Sequence, residues 1–223
     1  MMEAKLVRLV RRMPDLAPGA FHARWRDGHS ALVRRLPGVR RYVQSHALLQ
    51  GYAKGPLLFD GIDEFWFESA DAMRAARKSA AWTSVEANLA EFSGEFVTIP
   101  VDVHVIKDNP IPASAVKNIE FVNRRPGMDL HSFRRYWRET HGPIASHIPP
   151  LVRYEQNHLA LEEYEGAAPA FDGLAITWFR STADMRAGAA TQAYATTRAD
   201  EPNFLPDGHL PIIITREVEI DLA

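Results

Sequence analysis

The sequence predicts an α+β fold in which two ferredoxin-like βαββαβ repeats close a single barrel. The 223-residue chain repeats itself: the helical pattern Phe-x-x-x-Trp-x-x-x-His starts at Phe21 and again at Phe133, 112 residues later. The strand pattern Tyr-x-Gln-x-His starts at Tyr42 and recurs at Tyr154 with the same offset. Two such units whose bare sheet faces meet can close a barrel and remove exposed strand edges.

The first half of repeat 1 reads strand, helix, strand. An apolar run predicts the first strand at 5–12. A helix follows from Pro18, because proline suits the first helical turn, and its apolar residues recur every three or four positions until Pro37 ends it. The polar-faced strand is then expected at 39–49.

The second half of repeat 1 reads strand, helix, strand. A strand is predicted at 62–67, followed by a helix over 70–79 for which Ser69 is a candidate cap. The stretch 80–96 shows no clear pattern and is expected to be irregular. The last strand is predicted at 97–106.

Repeat 2 predicts the same order of elements. Its strands are expected at 117–124, 151–161, 174–179 and 211–220, and its helices at 130–147 and 182–190. The stretches 162–170 and 198–210 are too irregular to assign. We therefore divide the chain into repeat 1 at 1–107, a linker at 108–116 with two X-Pro pairs, and repeat 2 at 117–223.

Composition excludes several classes of function. With 26 basic and 28 acidic residues, the formal charge of −2 gives no reason to expect nucleic acid or an anionic membrane as partner. The absence of cysteine excludes disulfides and thiolate chemistry. The N-terminus lacks the apolar run of a signal peptide or membrane span. We expect a cytoplasmic protein with a small-molecule substrate, and a homodimer of the two-repeat chain is compatible with the sequence.

The strand pattern Tyr-x-Gln-x-His supplies the main candidate site residues. Because side chains alternate along a strand, all three project from one face, which we expect to line the barrel interior. Histidine can transfer protons near neutral pH, tyrosine can donate to a substrate oxygen, and glutamine can hold the substrate. The residues are Tyr42, Gln44, His46, Tyr154, Gln156 and His158. The alternative is a buried polar layer whose members only satisfy one another.

Glu64 distinguishes the two repeats. It shares a strand face with Trp66, whereas the matching residue of repeat 2 is Ile176. We therefore expect the pocket of repeat 1 to carry the activity. In that hypothesis His46 moves the proton, Tyr42 stabilises charge on a substrate oxygen and Glu64 orients the histidine.

The remaining candidates lie on the helix stripes or on the expected pocket wall. A histidine on an apolar helix stripe often packs against the core, so a structural role is the alternative for the helix histidines. The candidates are His29 and His141 as catalytic residues, and Trp25, Trp66, Trp137, Trp178 and His104 as substrate-binding residues.

These motifs resemble the EthD domain of the dimeric α+β barrel superfamily. The resemblance rests on both helix patterns, on the strand patterns and on the Phe-Asp-Gly turns that start at Phe59 and Phe171. It implies two tandem domains that form a pseudo-dimer, with the helix histidines near the cavity mouth. It also implies functions that range from accessory proteins to cofactor-free dehydratases, cyclases or decarboxylases of aromatic and polyketide substrates. More distant relatives include cofactor-free monooxygenases and haem enzymes.

We expect neither a cofactor nor a metal, since the sequence has no His-x-x-x-His pair, phosphate loop or dinucleotide fingerprint. The leading hypothesis is a cofactor-independent acid–base enzyme of lyase, dehydratase or cyclase type. Its expected substrate is a hydrophobic, aromatic or phenolic small molecule of catabolism or secondary metabolism. The alternatives are a non-catalytic binding protein of a degradation pathway and a monooxygenase, either cofactor-free or haem-dependent.

Overall fold

The computed structural model describes residues 3–166 and 168–222. Its strands are β1 (Ala4–Arg12), β2 (Val39–Ala47), β3 (Gly61–Phe67), β4 (Ser93–Asp108), β5 (Val116–Val122), β6 (Leu151–Leu159), β7 (Gly173–Phe179) and β8 (Ile212–Ile220). They are hydrogen-bonded in the order β1-β3-β2-β8-β5-β7-β6-β4 and close into a barrel. The predicted fold class, two ferredoxin-like repeats in an α+β barrel, is confirmed.

The helices lie between the strands in the order expected for two βαββαβ repeats. They are α1 (Pro18–Arg24), α2 (Ser30–Val33), α3 (Ala70–Arg77), α4 (Ala80–Ala90), α5 (Leu130–Tyr136), α6 (Gly142–Ser146), α7 (Thr182–Ala189) and α8 (Gln192–Asp200). Short 3₁₀ helices occupy Leu49–Lys54, Leu161–Tyr164 and Glu201–Asn203. Residue 167, within the stretch 162–170 that the sequence left unassigned, lies outside the described residues. No helix in the described part of the chain is long and apolar enough to cross a membrane.

The chain divides into two compact units. Unit 1 contains the residues up to Val101 and those from Thr215 onward, and unit 2 contains Asp102–Ile214. This division differs from the one drawn from the sequence repeat, because β4 and β8 each contribute residues to both units.

The helices α4 and α8 were not expected from the sequence. Ser79 caps α4 by accepting a hydrogen bond from the backbone N–H of Trp82, and Thr191 caps α8 in the same way from Tyr194. In α4 the buried residues Trp82, Val85 and Leu89 form one face. The expectation of an irregular stretch at 80–96 was therefore wrong. Small and hydroxyl-bearing residues dilute the apolar spacing of both helices, which hides their period.

Each helix that carries the Phe-x-x-x-Trp-x-x-x-His pattern contains a π-helical turn. The π turns span Trp25–His29 and Trp137–His141, so the continuous helix predicted at 130–147 is divided into α5, the π turn and α6. Single π turns of this kind are rare and often occur at functional sites.

Candidate functional site

The Tyr-x-Gln-x-His face of unit 1 points toward the helices of that unit, which corrects the expectation that it lines the barrel interior. Tyr42 packs in one core cluster with Val33 of α2. The Gln44 side chain donates to the carbonyl of Trp25 at 2.9 Å, and the ring of His46 stacks on the Trp25 ring with centroids 4.8 Å apart. The residues that alternate with this face are buried as well. A sequence pattern identifies the buried face of a strand by the contrast between apolar and polar residues. Because this strand is buried on both faces, the contrast does not show which face meets the helices.

Glu64 lies on the opposite face of the sheet from His46. It is paired with Val43 in the register, Nζ of Lys5 lies 2.8 Å from its carboxylate, and Ser45 donates to it at 3.2 Å. Glu64 therefore does not orient His46, because the sheet separates the two side chains.

Trp66 and Trp178 share the sheet face that points away from the helices. Nζ of Lys5 lies 4.8 Å from the centroid of the Trp66 ring, and Nζ of Lys117 lies 4.8 Å from that of Trp178. The sequence pattern predicted that these tryptophans line one pocket together with the tyrosines and histidines of the motif. They lie instead on the opposite face of the sheet.

In unit 2 the same motif forms a fixed hydrogen-bonded group. The amide nitrogen of Gln156 donates to the carbonyl of Trp137 at 2.7 Å and to the hydroxyl of Tyr154 at 3.1 Å. Its oxygen lies 3.1 Å from Nε2 of His158, so Nε2 carries the histidine proton. Trp137 donates to Tyr154 at 3.2 Å and stacks on His158 with ring centroids 4.3 Å apart.

A glycine at the start of β7 lets the tryptophan approach the strand. A Cβ atom at Gly173 would lie 3.0 Å from the Trp137 ring and 2.4 Å from the carbonyl oxygen of Asn157. Gly61 of unit 1 has the same relation to Trp25, at 2.8 Å. The sequence suggested that the two Asp-Gly pairs are turn residues. The glycine of each pair also has a second role, since only glycine leaves room for the indole.

Asp63 makes the two tyrosines chemically different. In unit 1 the Tyr42 hydroxyl donates to Asp63 at 2.5 Å, and burial raises the pKa of that carboxyl to about 7. The matching residue in unit 2 is Ala175. The Tyr154 oxygen accepts two hydrogen bonds, from Trp137 and Gln156, and its hydroxyl donates to no acceptor among the described residues. Burial also raises the pKa of Tyr154, so it remains a hydrogen-bond donor.

A cavity of about 270 Å³ lies in unit 2 between the sheet and the helices, and Tyr154 lines it. The matching space in unit 1 contains three large buried side chains, Arg8, Phe65 and Trp82. Unit 2 has Glu120, Thr177 and Tyr194 at the corresponding positions. Smaller side chains on the sheet therefore open the space that unit 1 fills. The polar lining of the cavity includes Asn118, Glu120, His141, Tyr154, Arg198 and Glu201.

His141 and Asp200 form a hydrogen-bonded pair beside this cavity. Nδ1 of His141 lies 2.9 Å from Oδ2 of Asp200, whose other oxygen accepts from Tyr136 at 2.6 Å. A carboxylate at Nδ1 fixes the proton there, so Nε2 carries the lone pair. Burial lowers the pKa of His141, against the opposing effect of Asp200, which keeps the ring neutral at neutral pH. A neutral histidine supported by a carboxylate is suited to act as a general base.

The equivalent histidine of unit 1 has a weaker partner. Nδ1 of His29 lies 3.1 Å from the amide oxygen of Asn88, and burial lowers its pKa to about 4. An amide cannot neutralise an imidazolium, so the protonated form of His29 is poorly stabilised.

Two carboxyl groups complete the cavity. Burial raises the pKa of Glu120, which accepts a hydrogen bond from Asn118 at 3.0 Å. Burial also raises the pKa of Glu201 to about 7, although Arg198 pairs with it. Glu201 can therefore hold a proton near neutral pH, and the raised pKa of Glu120 favours its protonated form, which could donate to a bound molecule.

The structure divides the sequence candidates among four environments, of which the sheet face of Glu64, Trp66 and Trp178 is described above. In unit 2, His141 and Tyr154 line the cavity, Gln156 and Trp137 hold Tyr154, and His158 and His104 line a second pocket. Tyr42, Gln44, His46, Trp25 and His29 belong to the packed layer of unit 1. The predicted catalytic and binding roles stay predictions.

Sequence reasoning missed Asp200, Glu120 and Glu201. A signal was present, because the 112-residue offset aligns Asp200 with Asn88 and Glu120 with Arg8. These differences could have been interpreted in the same way as the Glu64 difference. No group of three or more His, Asp or Glu side chains within the described residues is arranged to hold a metal ion.

A sequence model of the EthD domain matches residues 13–95 and 125–207. The two matches cover most of the chain and coincide with the two repeats. The chain belongs to the EthD family. No curated protein shows significant sequence similarity to it.

Solved structures of low identity share the fold of this EthD protein. An anthrone oxidase-like protein superposes with a TM-score of 0.63 at 8% identity, over 97% of this chain and 91% of that chain. A protein of Lactobacillus acidophilus NCFM, provisionally named a monooxygenase, gives 0.56 at 10% identity over 99% and 100%. A provisionally named monooxygenase of Fusobacterium nucleatum subsp. nucleatum ATCC 25586 gives 0.57 at 10% identity over 96% and 92%. At such identities the similarity shows the fold alone.

Proposed function

We propose that this EthD protein is a cofactor-independent acid–base enzyme of lyase, dehydratase or cyclase type. Its substrate would be a hydrophobic aromatic or phenolic small molecule bound in the cavity of unit 2. The observation that carries the proposal is that one cavity is lined by both His141, which is hydrogen-bonded to Asp200, and Tyr154. Titratable groups with shifted pKa values that converge on an apolar pocket are typical of catalytic sites.

His141 is the proposed general base. Its Nε2 lone pair takes a proton from a carbon or hydroxyl next to a substrate carbonyl, and Asp200 stabilises the imidazolium that forms. The roles that the sequence suggested for His46 and Tyr42 of repeat 1 are thereby assigned to cavity residues of unit 2.

Tyr154 is the proposed donor to the substrate oxygen on which negative charge accumulates. The hydrogen bonds that it accepts from Trp137 and Gln156 hold its hydroxyl in place and polarise it. A donor positioned before the reaction stabilises an enolate without a reorganisation cost.

Glu120 is the proposed general acid for a leaving hydroxyl group. Burial raises the pKa of its carboxyl, which favours the protonated form, and it lines the cavity together with His141. A base and an acid in one cavity are the two groups that a dehydration needs. The apolar wall, made of Ala145, Ile148, Leu151, Phe179 and Ala189, favours a flat ring system.

The test is turnover of a panel of aromatic β-hydroxy ketones and linear poly-β-ketones by the whole chain and by two variants. Asp200→Asn and Tyr154→Phe should each lower kcat by about 10²- to 10³-fold, since each removes one polar contribution in the transition state. Tyr154→Phe should leave binding of an apolar aromatic ligand within about threefold. Wild-type kcat in both variants, on a substrate that the chain converts, would contradict the proposal.

Oxygenation is a second candidate, favoured by the same base and apolar wall. A phenolate or enolate formed by His141 in the cavity is the electron-rich species that dioxygen attacks without a cofactor. This candidate predicts oxygen consumption that requires both substrate and His141. A binding protein would instead retain the aromatic ligand unchanged in both the wild-type chain and the variants.

A further inference from the structure

A second pocket, of about 350 Å³, lies in unit 2 and is lined by His158. The motif strand β6 links the two spaces: Tyr154 lines the cavity of the proposed enzyme site, and His158, four residues later, lines this pocket. The other residues that line the pocket are His104, His131, Arg134, Arg135, Arg138 and Glu139.

His158 has an unused hydrogen-bonding atom. Its Nε2–H is directed to Gln156, and Nδ1 is buried with no hydrogen-bond partner in the described part of the chain. The residue is 1% exposed, and burial lowers its pKa to about 2, an effect that His104 and the nearby arginines reinforce. His158 therefore stays neutral, and its Nδ1 keeps a lone pair. A buried lone pair without a donor is costly, which favours a ligand that brings an O–H or N–H group.

The rim of the pocket is cationic. Arg134 is held by the carbonyl of Leu159 and the carboxylate of Asp102, each at 2.6 Å, which fixes its guanidinium. Arg138 contacts Glu139, its neighbour in sequence, at 3.0 Å on the surface. Arg135 is exposed and lines the same pocket. Three guanidinium groups against the carboxylates of Glu139 and Asp102 leave a net positive charge. Guanidinium groups are the preferred protein partners of oxyanions.

We propose that this pocket binds a small tetrahedral oxyanion that still carries a proton, of the class of hydrogen phosphate, with its O–H directed to Nδ1 of His158. The anionic oxygens would be bound by Arg135 and Arg138. The site does not depend on the proposed enzyme function, because none of its lining residues belongs to the cavity of Tyr154 and His141.

Calorimetric titration of the whole chain with inorganic phosphate and with sulfate at slightly alkaline pH tests this assignment. Both ions are tetrahedral and mainly divalent there, but only phosphate keeps a proton. Phosphate should bind about tenfold more tightly than sulfate, because sulfate leaves Nδ1 without a donor. Arg135→Ala and Arg138→Ala should each weaken phosphate about fivefold, while Arg35→Ala, an exposed arginine of unit 1, should change nothing.

A second set of measurements separates the role of His158 from that of the arginines. His158→Phe keeps a ring against Trp137 but has no lone pair, so it should make phosphate and sulfate affinities equal. A phenyl phosphate titration identifies the source, since tighter binding than inorganic phosphate indicates a phosphorylated small molecule and weaker binding indicates free phosphate. Equal wild-type affinities for phosphate and sulfate, or no binding of either ion, would overturn the assignment. Because His141→Gln should leave phosphate binding unchanged, failure of the enzyme proposal remains distinguishable.

Discussion

Tyr154 and Tyr42 occupy the same strand position, yet their hydroxyl protons meet different groups. Tyr42 donates to Asp63, whereas Ala175 takes the place of that carboxylate in unit 2. The sequence predicted both tyrosines as donors but could not distinguish them. Which residue of the neighbouring strand lies beside each tyrosine, Asp63 or Ala175, depends on the register between the strands, and the sequence pattern does not give that register. The presence of Asp63 thus satisfies the buried hydroxyl of Tyr42, and its replacement by Ala175 in unit 2 leaves the hydroxyl of Tyr154 available as a donor.

Placing the missing carboxylate in unit 2 should remove this donor. In Ala175→Asp the Tyr154 hydroxyl is expected to bond the new carboxylate, and kcat should fall by about 100-fold, the usual effect of losing one transition-state donor. The matched variant Asp63→Ala in unit 1 should keep wild-type kcat. It should lose about 2 kcal/mol of unfolding free energy, because Tyr42 and Arg8 each lose a buried partner. Full turnover by a folded Ala175→Asp protein would show that Tyr154 is not the donor.

Glu201 gives the stability of the chain a defined pH dependence. Its pKa is about 7 in the folded chain against an ordinary value of 4.5, so the folded state holds the proton more strongly than the unfolded state does. The resulting stabilisation is complete below the unfolded pKa and is lost as the pH rises through about 7. Glu201→Gln should therefore gain stability relative to wild type as the pH rises across this window, measured by urea unfolding. A difference independent of pH would show that Glu201 titrates normally.

At the scale of elements, the strands and the first helix of each repeat were predictable because apolar period, proline position and repetition agree. The helices α4 and α8 and the π turns were not. Apolar spacing in α4 and α8 is diluted by small residues, and a π turn changes the hydrogen-bond pattern without a signal in composition. The face of the polar strand was also unpredictable, since both faces of β2 are buried from Tyr42 to Ala47.

The contact between the π-turn tryptophan and β7 predicts the effect of a glycine substitution. Gly173→Ala should lower the unfolding free energy by about 2 kcal/mol or more, because its Cβ would meet a backbone oxygen at 2.4 Å. Gly19→Ala provides the contrast, since that glycine lies in α1 with no atom within 4 Å of an added Cβ. It should stabilise the chain by up to about 1 kcal/mol. Thermal unfolding of both variants provides the comparison, and a neutral Gly173→Ala would contradict the described packing.

At the scale of the whole molecule, the two repeats differ in the space between the sheet and the helices, which large side chains fill in unit 1 and which is a cavity in unit 2. Arg8, Phe65 and Trp82 occupy in unit 1 the positions that border the open space of unit 2. The duplication itself was readable from the repeated motifs. The location of the site was not, because it depends on which sheet face meets the helices. The sequence favoured repeat 1 on the strength of Glu64, which lies on the other face.

The central claim, that acid–base chemistry occurs in unit 2 and depends on His141, is tested most directly by comparing two equivalent histidines. His141 and His29 occupy the same position of the repeat, and both are buried, so His141→Gln and His29→Gln are matched substitutions. With a substrate that the chain converts, His141→Gln should lower kcat by about 10²- to 10⁴-fold, whereas His29→Gln should keep it within about twofold. Loss of turnover in His29→Gln, with wild-type turnover in His141→Gln, would place the chemistry in unit 1 and contradict this account.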